Sequence, residues 1–208
     1  FLSGSGSPTN NRVSVGGQQR AMGTTGFVGF FMKTTDPGLQ VGLGIDDGYL
    51  LAAWSDFLLD RQRPAEVVKW LAGWEASDGL LLRLALAETA LKQPAAKAHV
   101  QALADRFAAA KVRGDATHRA EEARYLMHLA GDPAAALDVA AANYRVQREP
   151  RDARVLLEAA IAAKDAGAAQ PVRDWLRSSG FEDAYLRQLG LASAQVRSLG
   201  PRRAQDDE

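Results

Sequence analysis

An all-α fold is what this 208-residue sequence predicts, and three observations predict it. The composition changes near residues 44 to 46, from glycine-rich to a mixture dominated by Ala, Leu, Arg and Glu, all strong helix formers. Beyond that point apolar residues recur three and four apart, the spacing that lines one face of a helix. The helical pattern is then punctuated by short turns, so that helices follow one another in pairs. Overall composition, with 47% hydrophobic and 24% charged residues, is that of a globular chain.

Residues 1–45 form the first segment, a leader expected to be irregular or flexible, with a partial strand region as the other reading. Residues 1–44 hold 10 of the 19 glycines, a single alanine (Ala21), three basic residues and one acid. Glycine loses the most backbone freedom on ordering, so this composition does not favour a helix. Residues 46–200 form the helical domain, with about four pairs and a capping helix, and residues 201–208 a polar tail.

In the first pair Tyr49, Leu50, Ala53, Phe57 and Leu58 make one face, and Pro64 opens a second helix through Val67, Val68 and Leu71. Proline suits a first helical turn because its missing N–H would be unbonded there anyway. The second pair is Leu80 to Leu91, a run interrupted by Arg83 and Glu88, then Pro94 followed by His99 to Phe107. Arg119 to Leu129, the turn Gly131-Asp132-Pro133 and Leu137 to Val146 make the third. Ala153 to Ala163 and Asp165 to Leu176 make the fourth. A capping helix from Glu182 to about Leu199 carries Tyr185, Leu186, Leu189 and Val196 on one side. The in-pair turns align at Gln62, Lys92, Gly131 and Lys164, with spacings of 30, 39 and 33 residues and a mean of 34.

A pair of such short helices cannot bury its apolar face alone in water, so neighbouring pairs must supply the other side. Small residues such as Ala136, Ala140, Ala159, Ala160 and Ala169 allow close approach between helices. The four tryptophans, Trp54, Trp70, Trp74 and Trp175, read as core or junction residues.

The two-helix unit, its mean period, the run Gly131-Asp132-Pro133-Ala134-Ala135-Ala136-Leu137 and the unit-ending Pro150 before Arg151-Asp152-Ala153 resemble the tetratricopeptide repeat. The resemblance covers about residues 46 to 180 and is degenerate. The Trp-x2-Leu-Gly-x2-Tyr pattern of the family's first helix is not intact anywhere, the turn glycine stands only at Gly131, and Lys97 occupies a position where the family has a small residue. What the resemblance implies is a right-handed α-solenoid of stacked helix-turn-helix repeats whose first helices line a concave groove for a peptide or helix. Carried over from the turn positions, the groove residues are Tyr49, Asp56 and Asp60; Thr89; His118, Glu121, Tyr125 and His128; and Arg151, Arg154 and Glu158. The 39-residue step loosens the register of the second pair. Asparagine occurs only at Asn10, Asn11 and Asn143, so a Lys and Asn clamp for a C-terminal carboxylate is not expected.

Other chemistries find little support. Net charge is zero, with 25 basic and 25 acidic residues, which offers no general field for nucleic acid or anionic membrane. Absence of cysteine excludes disulfides, thiolate metal sites and a cysteine nucleophile. Gly23-Thr24-Thr25-Gly26-Phe27-Val28-Gly29 resembles the phosphate loop of short-chain dehydrogenases and raises an alternative, a fragment of an NAD-binding enzyme using residues 23–29. Its flanks argue against that: the preceding Gln18-Gln19-Arg20-Ala21-Met22 is not the buried strand such a loop needs, Pro37 falls within the helix that should follow, and no Tyr-x-x-x-Lys pair exists. His118 and His128 are 10 residues apart, about 15 Å along a helix, too far to share one ion. Arg145, Arg148, Arg151 and Arg154 recur every third residue, but Pro150 interrupts them, and they read as the basic end of one helix and the basic start of the next. No apolar run approaches the roughly 20 residues of a membrane-spanning helix. The short Gly26 to Met32 run lacks a cleavage pattern, which leaves localisation open. The expectation is therefore a non-catalytic scaffold for a protein or peptide partner, with neither cofactor nor metal.

Overall fold

The computed structural model describes residues 12–15, 18–21 and 48–196. Residues 48–196 are all-α, with nine α-helices among the described residues. Within the Gly-rich segment, strands β1 (Arg12–Val15) and β2 (Gln18–Ala21) pair antiparallel, from Arg12 opposite Ala21 to Val15 opposite Gln18. A two-stranded antiparallel pair thus lies in the segment read as an irregular leader or a partial strand region, while the glycine loop at 23–29 lies outside the described residues. The chain divides into two compact units, Phe1–Asp115 and Ala116–Glu208.

In the first unit α1 (Gly48–Asp60) and α2 (Pro64–Leu71) form one pair, α3 (Asp78–Ala90) and α4 (Ala96–Val112) the next. The two first helices, α1 and α3, also pack on each other. Leu51, Trp54 and Leu58 of α1 meet Val67 and Leu71 of α2 and Leu80, Leu84 and Ala87 of α3, with Phe57, Trp70 and Trp74 half-buried against them. Trp54 stacks on Phe57 at 5.3 Å between ring centroids. The tryptophans of this unit are therefore core and core-edge residues, as their spacing predicts.

The second unit begins with α5 (Arg119–Tyr125), which continues as a π-helical segment, Leu126–Ala130. Then follow α6 (Pro133–Val146), α7 (Pro150–Ala162), α8 (Gln170–Ser179) and α9 (Ala184–Gln195). Ala123, Ala140, Tyr144, Val155, Leu156, Leu157, Ala159, Ala160, Val172 and Leu186 lie in one core, and Trp175 packs against it. The alanines let α6 come close to α7, and α5 and α9 each pack on α7.

All four aligned turn positions adopt the left-handed conformation: Gln62, Lys92, Gly131 and Lys164 have φ of 55, 55, 71 and 57°. Three of these carry a Cβ, which makes that conformation costly by roughly 1–2 kcal/mol. They hold it because each closes a helix end. Gln62 N–H donates to Leu59 O and Arg63 N–H to Leu58 O, both at 2.9 Å, and Lys92–Gln93 and Lys164–Asp165 repeat the pattern. These bonds satisfy carbonyls that the helix end leaves open. At Gly131 the ring is one residue wider, with Asp132 N–H reaching Leu126 O, because the π segment holds an extra residue in the last turn.

The boundaries differ from expectation in physically instructive places. α4 opens at Ala96 and runs to Val112, because the Ala- and Lys-rich sequence after Phe107 sustains the helix. The second helix of the fourth pair starts at Gln170 and not Asp165: the Asp165 carboxylate accepts the Ala168 N–H at 3.0 Å, fixing a turn, and Pro171 then occupies an opening position. α9 starts after Asp183, whose carboxylate accepts the Leu186 N–H at 2.9 Å. Arg119 to Leu129, expected as a regular helix, is α-helical only as far as Tyr125.

Candidate functional site

In the first unit the polar side chains on facing helices serve the fold. Arg83, an interruption in an apolar run by sequence, is 2% exposed. Its Nη2 contacts Asp56 Oδ2 at 2.5 Å, Nε donates to the Ala52 carbonyl at 3.1 Å and Nη1 to Gly79 O at 2.7 Å. A buried guanidinium must find a counter-charge and acceptors, and α1 supplies both. Asp56, assigned to the groove by resemblance, is thus half of an inter-helix tie. Glu88, the other interruption, is also buried and holds His99 of α4, Oε2 to Nδ1 at 2.7 Å. Arg106 of α4 reaches Asp78 at 2.8 Å.

The remaining groove candidates of this unit are exposed but spread out. Tyr49 is in the first turn of α1 and Asp60 at its end, about 16 Å apart along the axis, while Thr89 ends α3. One small ligand group cannot reach both ends of α1.

The second unit gathers its candidates differently. α5 and α9 each pack on α7, so residues of three helices adjoin. At one level Arg151 Nη1 approaches Glu121 Oε1 at 3.3 Å, and His118 Nδ1 lies 3.8 Å from the other oxygen of Glu121. One turn on along α7, Arg154 Nε donates to Glu158 Oε1 at 2.8 Å, and the Tyr185 hydroxyl from α9 donates to the same oxygen at 3.1 Å. The Arg154 guanidinium also lies over the Tyr185 ring, 4.7 Å from its centroid, a cation–π contact. Tyr125 is half-buried near the end of α5.

His128 sits in the π segment with its outer edge open to solvent. Its pKa is held below the ordinary 6.5, first by desolvation and then by the positive charge of Arg124, with Glu158 raising it and Arg154 lowering it.

His118, Glu121 and Arg151 therefore form one cluster, and Arg154 and Glu158 form another with His128 in electrostatic reach. The arginine ladder divides as expected: Arg145 and Arg148 are exposed at the end of α6 and beyond it, while Arg151 and Arg154 begin α7 and carry carboxylate partners. Sequence reasoning missed Tyr185 and Arg124. Tyr185 has the spacing of the apolar side of α9, yet its position in the first turn, two residues after the capping Asp183, leaves its ring at the rim and 38% exposed. Arg124 is buried and offered no signal beyond being a charge within α5.

Chemically, this is a surface of tyrosine, arginine and histidine over a compensated set of charges. Tyrosine and arginine dominate binding hot spots, because each brings large area together with directional hydrogen bonds. Among the described residues no group of three or more His, Asp or Glu side chains is placed to hold a metal ion. Among them also, no helix is long and apolar enough to cross a membrane. Compared with protein-family models, curated proteins and solved structures, the chain has no significant match in any of the three.

Proposed function

We propose that this chain is a non-catalytic interaction scaffold, a right-handed helical solenoid of degenerate tetratricopeptide-like repeats that takes a peptide or helix of a partner protein along its first helices. The observation that carries this reading is the α5–α7–α9 row, where side chains from three helices converge on two polar clusters with Tyr185 and Arg154 at the rim. Left-handed residues at all four aligned turn positions support the repeat frame itself.

Site-specific photo-crosslinking tests the reading. A crosslinking amino acid at His118 or Arg151 should capture a partner protein from the native source, whereas the same group at exposed Asp138 on α6 should not. Equal capture from Asp138 would overturn the assignment of the face. Replacing both Tyr125 and Arg154 by Ala should abolish capture from His118 while the far-UV circular dichroism spectrum stays helical.

A further inference from the structure

We infer that the end of α6 anchors an acidic segment of the partner protein: Arg145 and Arg148, which bracket the exposed Val146 in the sequence, receive its carboxylates. The inference rests on the docking face proposed above, because His118 and Arg151 of that face stand at the same end of the second unit.

Three contacts bring this end together. Asn143, in the last turn of α6, holds Asp152 at the start of α7 at 2.8 Å. Arg151 of α7 meets Glu121 of α5 at 3.3 Å, and His118, just before α5, lies 3.8 Å from the same carboxylate. The finish of α6 and the starts of α5 and α7 therefore converge.

The acids that the sequence sets beside these arginines are already committed. Asp152 is 1% exposed, and its two oxygens take Asn143 Nδ2 and the Glu149 N–H. Glu121 is buried against Arg151, and Glu158 accepts Arg154 and Tyr185. Glu122 is half-buried with a contact of its own, and Glu149, though exposed, forms the capping box of α7 with Asp152. Arg145 and Arg148 are exposed, and among the described residues neither has a hydrogen bond or an ion pair. Negative charge at this end is turned inward and positive charge outward. A partner's carboxylate can take the planar fork of either guanidinium without first breaking a pair.

The helix macrodipole accounts for Arg145 near the C-terminus of α6. It does not account for Arg148, which follows the extended Gln147 and lies outside any helix. Val146, 72% exposed between the two, offers an apolar contact beside the charges. This arrangement fits a short peptide of acidic and aliphatic residues. With a net charge of zero, the chain offers no long cationic track for a nucleic acid.

The probe is the acetylated and amidated peptide Glu-Leu-Glu-Glu-Leu-Glu, added at millimolar concentration and low salt to the full chain, with Gln-Leu-Gln-Gln-Leu-Gln as the control. NMR follows backbone and arginine side-chain N–H signals. Those of Arg145, Val146 and Arg148 should move and saturate with the acidic peptide and stay still with the control. Salt at about 1 M, where the screening length is about 3 Å, should abolish the response. Arg177, also exposed but paired with Asp174, should move far less. Arg145→Gln combined with Arg148→Gln should weaken the acidic peptide about tenfold while the helical circular dichroism spectrum is kept. No response, an equal response to the control, or equal shifts at Arg177 would overturn the inference. Tighter binding of single-stranded oligothymidylate at the same residues would overturn it too, in favour of a nucleic acid. The docking face is judged separately: partner capture from His118 without any response to the acidic peptide would reject the anchor and leave the face standing.

Discussion

Both units set first helices side by side, yet they use charge between those helices in opposite ways. Between α1 and α3 the charged residue is buried: Arg83 is sealed against Asp56, Ala52 O and Gly79 O. Along α5, α7 and α9 some charges are buried too, Glu121, Arg124 and Asp152 among them, but Glu121 is met by Arg151, whose side chain is 40% exposed, and Tyr185 stands at the rim. The same helix-pair grammar thus yields a tie in one place and an accessible polar face in the other. A charged residue at a first-helix position does not by itself mark a groove. Burial decides, because desolvating a guanidinium demands that nearby acceptors be committed to it.

That contrast is best broken at its buried end. Arg83→Ala should destabilise the chain by about 3 kcal/mol in urea unfolding, since it leaves Asp56 partly buried without its cation. A loss below about 1 kcal/mol would show that Arg83 is no more than a surface charge. In the second unit the comparable structural tie is neutral to charged: Asn143 Nδ2 donates to the buried Asp152 Oδ1 at 2.8 Å, while Asp152 Oδ2 accepts the Glu149 N–H at the start of α7. Asn143→Ala should cost about 2 kcal/mol by the same measurement.

Smaller effects sharpen the picture. Lys164→Gly should raise stability by about 1 kcal/mol, as it relieves a side chain held at positive φ, and Gly131→Ala should lower it by a similar amount. Thermal melts would show the opposite signs directly. Arg151→Ala, which removes the 40%-exposed partner of the buried Glu121 carboxylate, should lower stability by about 1 kcal/mol. His128 supplies a pH dependence whose sign is fixed: its folded pKa is depressed, so the unfolded chain binds more protons in the window between that value and 6.5. Stability therefore rises with pH through that window and is lost as pH falls, and the His128→Asn variant should lack this part of the slope.

Much of the helical plan is legible in the sequence because it rests on local chemistry. Pro64, Pro133 and Pro150 each open a helix, and the four aligned in-pair turn positions all have positive φ. What escapes local reading is what tertiary context decides. Arg83 and Glu88 look like breaks in an apolar run, and only the facing helices show that each has an acceptor or donor waiting. The turn at Asp165 to Ala168 competes successfully with the helix expected there, because a side-chain carboxylate can bond the backbone in a non-helical form. The site is legible as a set of residue types on α5 and α7. Tyr185 is not, since it comes from a third helix and reads as core by spacing.

The most direct test of the central claim is affinity for a partner captured at the α5–α7–α9 face. The Tyr125→Ala and Arg154→Ala double variant, with its helical circular dichroism spectrum intact, should bind that partner about thirtyfold more weakly than the original chain. Unchanged affinity in that folded variant would contradict the assignment of this row of helices as the docking surface.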